Sequence, residues 1–155
     1  MSRIFIHNGR NTRSTRILVI NDIQEILDLF RILLEGEGYE VVLSGFPFQQ
    51  VSEIEQINPD LIILDIIFGD QKTGWQMLQL LKMKRSTASI PVVVCTAALN
   101  AVREQEGYLV SQGVHVVYKP FDIDHILTTI KLALESRKNI PSQRQYTQDT
   151  EHSGK

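Results

Sequence analysis

Five polar residues stand where runs of apolar residues stop, and their types could carry out phosphoryl chemistry. Asn21 and Asp22 follow Ile17-Leu18-Val19-Ile20. Asp65 follows Leu61-Ile62-Ile63-Leu64, Thr96 ends Val92-Val93-Val94-Cys95, and Lys119 follows Val114 to Tyr118. Two close carboxylates repel, and a hard divalent cation relieves that repulsion. Mg²⁺ takes one or two carboxylates together with waters and phosphoryl oxygens, which is the supply Asp22 and Asp65 offer. A carboxylate can act as nucleophile and form an acyl phosphate. The oxygens of the transferred group then need neutralising, work suited to the Lys119 ammonium and the Thr96 hydroxyl. Singly, each residue has a plainer reading: Asp after a strand usually caps a helix, Thr favours strands, and Lys is usually solvated. Their joint placement is what points to a site.

Parallel strands are the elements that bring such residues together. Arg16-Ile17-Leu18-Val19-Ile20, Val41-Val42-Leu43, Leu61 to Leu64, Pro91 to Thr96 and Val114 to Tyr118 read as strands buried on both faces. Helical spacing separates them. Ile23, Ile26, Leu27, Phe30 and Leu34 form one face, with Gly36 and Gly38 ending the helix. Val51, Ile54 and Ile57 give a short helix that stops before Pro59. Trp75, Leu78 and Leu81 mark a third helix. Leu99 to Gln112 marks a fourth, with Gly107 inside it and Gly113 as its stop. Ile123, Ile126, Leu127, Ile130 and Leu134 mark the last. Five strand-helix units in ~120 residues predict an α/β fold, an open doubly wound parallel sheet with helices on both faces. In such sheets ligands bind outside the carboxyl ends of the strands, where the five polar residues fall.

Composition bounds the rest. The 155 residues are one domain's worth, with 43% hydrophobic and 22% charged. A net charge of -2 gives no reason to expect nucleic acid or an acidic membrane surface as partner. One cysteine excludes an internal disulfide and fits a reducing, cytoplasmic setting. No apolar run approaches the ~18 residues of a membrane span. Residues 1–15 read as a flexible arm, 16–137 as the folded domain, and 138–155 as a disordered polar tail. Cys95 reads as core, and Trp75, Met77 and Met83 as packing; no His/Cys set has zinc-site spacing.

Over Arg16 to Arg137 the chain resembles the response-regulator receiver domain of bacterial two-component signalling. The resemblance is carried by ILVIND (Ile17 to Asp22), LIILD (Leu61 to Asp65), PVVVCTA (Pro91 to Ala97) and YKPF (Tyr118 to Phe121). It implies a flavodoxin-like sheet of order 2-1-3-4-5. It also implies that Asp65 accepts a phosphoryl group from a sensor histidine kinase or histidine phosphotransfer protein. Mg²⁺ would be held by Asp22, Asp65 and the backbone carbonyl of Ile67, with Asn21 acting through a water. Thr96 and Lys119 would be the switch hydroxyl and the phosphate-contacting lysine, with a cis Lys119–Pro120 bond. Such a protein is a phosphoacceptor and not an enzyme acting on other substrates. Its expected docking or dimerisation surface is the face of the fourth helix, fifth strand and last helix, and a downstream protein is its partner. A stand-alone receiver would need another chain to deliver its output.

Several positions depart from the family pattern. Asn21 stands where an acid is usual, which removes one negative charge. Phe68-Gly69 replaces a frequent Met-Pro, and Gly74 falls one residue late. Val116 occupies the position of the usual aromatic switch residue, and the nearest aromatic, Tyr118, is assigned to the opposite strand face. Ile67 and Ala98 cannot position an attacking water, so slow autodephosphorylation is expected. Asn21 and Val116 leave open a degenerate receiver that binds proteins without phosphorylation. A haloacid-dehalogenase-type phosphatase would need an Asp at Ile67, and a flavin site would need a phosphate loop where Asn21-Asp22-Ile23 stands.

Overall fold

The computed structural model describes residues 13–45, 50–66, 73–97 and 102–138. Its centre is a parallel sheet of five strands: β1 (Arg16–Ile20), β2 (Glu40–Ser44), β3 (Leu61–Leu64), β4 (Val92–Thr96) and β5 (Val114–Tyr118). Their order is β2-β1-β3-β4-β5, as the family resemblance implied, and their continuous apolar runs suit strands covered on both faces. The three inner strands are the most apolar. Leu61, Ile62, Leu64, Val92, Val93 and Val94 have no exposed surface.

Alternation along the strands divides the core into two layers. Leu18, Ile20, Ile62, Leu64, Val92 and Val94 meet α2 (Val51–Ile57), α3 (Thr73–Met83) and α5 (Glu106–Ser111) through Ile54, Met77, Leu78, Leu81 and Leu109. Ile17, Val19, Leu61, Ile63, Val93 and Val117 meet α1 (Gln24–Gly36) and α6 (Ile123–Lys138) through Leu27, Phe30, Leu34, Ile126, Ile130 and Ala133. Gly38 and Gly113, at φ +87° and +75°, turn the chain out of α1 and α5 in a conformation that side chains rarely adopt. Asn58 does the same after α2, at φ 52°.

The structure departs from the sequence reading at three places. A short α4 (Arg85–Ala88) follows α3; its four residues carry no helical period to read. The predicted helix over Leu99 to Gln112 is interrupted among the described residues: Val102 and Arg103 are helical, Glu104 and Gln105 form a turn in which the Gln105 N–H donates to Val102 O at 3.0 Å, and α5 begins at Glu106. Glu104 and Gln105 offer no apolar side chain to bury. Val116 and Tyr118 share one face of β5, both packed on the layer of α2, α3 and α5, while Val117 joins the other. Positions two apart on a strand must do so, and this corrects the assignment of Tyr118 to the opposite face. Two residues ahead of β1 also touch the folded domain. Thr15 O accepts the Glu40 N–H at 2.9 Å, and Arg13 pairs with Asp60 at 3.0 Å.

Candidate functional site

The register brings the polar strand ends into one cluster. Ile20 pairs with Leu64, so the next residues, Asn21 and Asp65, leave adjacent strands side by side. The Asp65 N–H still donates to Ile20 O at 3.3 Å. Val94 pairs with both Leu64 and Val116, and Thr96 with Tyr118, which places Lys119 just past the end of β4. The Lys119 N–H donates to Thr96 O at 2.9 Å, and the Lys119–Pro120 peptide is cis, as the family pattern implied.

Asp65 is 7% exposed, and its Oδ2 accepts from Lys119 Nζ at 3.1 Å. A nearly buried carboxylate is costly without a positive partner, and Lys119 supplies one. Thr96 is fully buried. Asn21 is buried too. Its N–H donates to Ser44 O at 3.1 Å, and its Oδ1 accepts the Ile23 N–H at 2.9 Å. That second bond is a side-chain turn that leads the chain from β1 into α1 and leaves Asp22 exposed at the sheet edge. Sequence reasoning placed Asn21 at the site but missed this bond; an Asn three residues before the first helical residue, Gln24, was the available signal.

Gly74 falls one residue later than the family pattern. It lies in the first turn of α3, pressed against the backbone of Asp65 and Ile66. A Cβ there would lie 2.5 Å from Asp65 O and closer still to Ile66 O. Glycine therefore lets the start of α3 close on the strand end that bears Asp65.

The donors suit a hard cation. Asp22 and Asp65 present oxygen only, and among the described residues no group of three or more His, Cys, Asp or Glu gathers as a soft-metal site would need. Ile67, the expected backbone ligand, and Ala98 lie outside the described residues, as do Phe68 and Gly69. Cys95, one residue before Thr96, has its thiol pushed up to about 12, chiefly by burial; Asp65 adds to the rise and Lys119 opposes it. It stays a protonated core thiol. His115 is half-buried on the face shared with Val117, and burial lowers its pKa, which favours the neutral ring. A cleft of about 620 Å³ lies at the opposite end of the sheet around Arg13, Tyr39, Asp60 and Arg137, away from this chemistry.

A sequence model of the response regulator receiver domain matches residues 17–131. The chain belongs to that family. Its receiver is 32% identical over 135 residues to the DNA-binding dual master transcriptional regulator RpaA of Synechocystis, covering 86% of this chain and 54% of that protein. It is 26% identical over 133 residues to the DNA-binding response regulator MtrA of Mycolicibacterium smegmatis, covering 86% of this chain and 56% of the relative. The chain thus spans a little over half the length of these relatives. A CheY-like response regulator receiver domain protein from Methanospirillum hungatei superposes on the receiver with a TM-score of 0.67. The two are 25% identical, covering 81% of this chain and 98% of the other. The Vibrio cholerae chemotaxis protein CheY4, 20% identical, shares the fold with a TM-score of 0.66 over 78% of this chain and 99% of its own. Two-component signal transduction is the setting of this family. No helix among the described residues is long and apolar enough to cross a membrane.

Proposed function

We propose that the receiver accepts a phosphoryl group on Asp65 from a phosphohistidine of a sensor histidine kinase or histidine phosphotransfer protein. The observation that carries this reading is the 3.1 Å pairing of Lys119 Nζ with Asp65 Oδ2 beside buried Thr96. An Asp65 carboxylate oxygen attacks phosphorus, the phosphorus–nitrogen bond of the donor breaks, and the imidazole leaves with the bonding electron pair. Lys119 moves its hydrogen bonds to a phosphoryl oxygen, and the Thr96 hydroxyl donates to another. Asp22, Asp65 and the Ile67 carbonyl would hold Mg²⁺, with Asn21 acting through a water; the cation, when bound, neutralises phosphoryl oxygens. The protein works as a signalling phosphoacceptor and catalyses only its own phosphorylation and dephosphorylation.

The domain division of an arm (1–15), a receiver (16–137) and a tail (138–155) and a cytoplasmic location belong to the same proposal. The phosphorylated receiver signals by docking a downstream protein on the face of α5, β5 and α6, which also serves as a homodimer surface in the alternative arrangement. Val116, Tyr118, Pro120, Phe121, Asp122 and His125 line a recess of about 250 Å³ between the end of β5 and the start of α6. The DNA binding named for the relatives belongs to longer proteins, of which this chain matches a little over half. A second reading, a receiver that binds partners without phosphorylation, draws on the amide at Asn21.

The test is incubation with a small acyl phosphate and Mg²⁺, read by intact mass. A gain of one phosphoryl group that Asp65→Asn abolishes is expected. No gain in the wild-type protein would sink the phosphoacceptor reading in favour of the second.

A further inference from the structure

We propose that Lys82 is a site of acylation, taking an acetyl-sized group from a small acyl phosphate at a recess between α3 and α5. The recess, about 70 Å³, opens where these two helices meet over the start of β5. Trp75 and Leu78 of α3, Leu109 of α5 and Val114 of β5 give it apolar walls. Among the described residues, Lys82 is the one charged side chain that lines it, and Tyr108 is the other titratable one. A cavity that takes a benzene ring measures ~150 Å³. The recess therefore suits an acetyl group and not an aromatic acyl group.

Backbone carbonyls hold the amine in place. Lys82 Nζ donates to Ala88 O at 3.0 Å and to Ile90 O at 3.2 Å. A neutral amine still has two N–H groups to donate, so losing a proton breaks neither bond, and the lone pair takes a direction the carbonyls do not use. Burial favours that neutral form. It lowers the pKa from 10.5 to about 8, and no charged group on α3, α4 or α5 contributes. At pH 8 about half of such an amine is neutral, against under about 1% of an ordinary lysine. A desolvated, neutral lysine is a nucleophile. Its nitrogen attacks the carbonyl carbon of the acyl phosphate, the C–N bond forms, and the C–O bond to phosphate breaks. Phosphate leaves with the bonding pair and takes the surplus amine proton. The product is an uncharged amide, which an apolar recess accommodates without cost in charge burial. A carbamate, formed with carbon dioxide, would instead leave an unpartnered negative charge. Acylation also leaves one N–H to serve two carbonyls, which loosens the hold of α3 on the end of α4 and the entry to β4.

Lys84 supplies an internal reference. Its side chain is 53% exposed, with its ammonium paired to Glu55 at 2.7 Å, so exposure alone would acylate it before the half-buried Lys82. The full chain is treated with acetyl phosphate at pH 8, and acetylation of each lysine is followed by peptide mass spectrometry. Lys82 is expected to gain its acetyl group at least about tenfold faster than Lys84. In urea, which unfolds the chain, the preference is expected to vanish. With benzoyl phosphate, whose ring the recess does not admit, it is expected to fall below about threefold. Equal or slower labelling of Lys82 overturns the proposal. A preference that survives urea overturns it too, because it then belongs to the local sequence, as does one undiminished with the benzoyl donor, which makes no use of the recess. Acetyl and phosphoryl gains differ in mass, so the outcome at Lys82 and the phosphorylation of Asp65 are read independently.

Discussion

Lys119 Nζ lies 3.1 Å from Asp65 Oδ2, although their strands, β5 and β3, are separated by β4. The lysine spans that strand because its backbone is tied to Thr96 O at the end of β4. The pair therefore reads the relative position of three strand ends at once. Lys119→Ala removes the cation that would stabilise charge on the transferred group. Phosphorylation by a small acyl phosphate is expected to slow by about 10²–10³-fold. Intact-mass time courses measure this, and a rate within threefold of wild type would take Lys119 out of the reaction.

Gly74 governs how α3 meets the site. A methyl group there collides with the backbone of Asp65 and Ile66, neither of which can yield as a flexible side chain would. Gly74→Ala is expected to cost about 1–3 kcal/mol of stability by overpacking and to shift Asp65 out of line with Lys119. Urea denaturation gives the first quantity, and the rate of phosphorylation gives the second. A stability change under about 0.5 kcal/mol, the ordinary range for surface sites, would show that α3 can retreat freely.

The sequence made the sheet legible because its strands are unbroken apolar runs and its site residues are the polar residues that end them. The strand order came from the resemblance to the receiver family and not from the runs, and the Asp65–Lys119 pairing is seen only in the structure. What stayed hidden depends on contacts between segments distant in sequence. Gly74 looks like any loop glycine until the backbone of Ile66 is set against it. The break before α5 arises because Glu104 and Gln105 offer nothing apolar to bury, while Val102 and Leu109 on either side are buried. Tyr118 is a different matter. Its face was available from the two-residue alternation it shares with Val116, and the error lay in applying that rule. On its observed face the Tyr118 ring lies 5.9 Å from the Arg103 guanidinium, and its hydroxyl is 3.5 Å from Glu106, tying the end of β5 to the segment around α5.

Asp60 gathers contacts at the amino end of the sheet. Its carboxylate accepts from the Arg16 backbone N–H at 2.8 Å, pairs with Arg13 at 3.0 Å and meets Arg137 of α6 at 3.5 Å. Asp60→Ala loses all three. The ion pairs are partly exposed and worth little, so most of the expected loss of about 1–2 kcal/mol comes from the half-buried Arg16 N–H. Phosphorylation of Asp65, at the other end of the strands, should be unchanged. Denaturation and intact mass on the same variant test both halves, and a slowed phosphorylation would reveal coupling along the sheet.

Lys82 gives the receiver a pH dependence in the alkaline range. Its Nζ donates to Ala88 O at 3.0 Å and Ile90 O at 3.2 Å, fastening the end of α4 and the entry to β4. Burial lowers its pKa from the usual 10.5 to about 8. Between these values the unfolded chain binds a proton that the folded protein has released, so stability should rise with pH across that window. Below pH 8 the folded protein bears the full cost of a charged, half-buried ammonium. Lys82→Met removes both the titration and the two hydrogen bonds. Its stability should therefore lack the rise between about pH 8 and 10.5, so the variant falls further behind wild type as pH increases. Denaturation at a series of pH values checks the sign, and parallel curves for the two proteins would show that Lys82 titrates alike in the folded and unfolded chain.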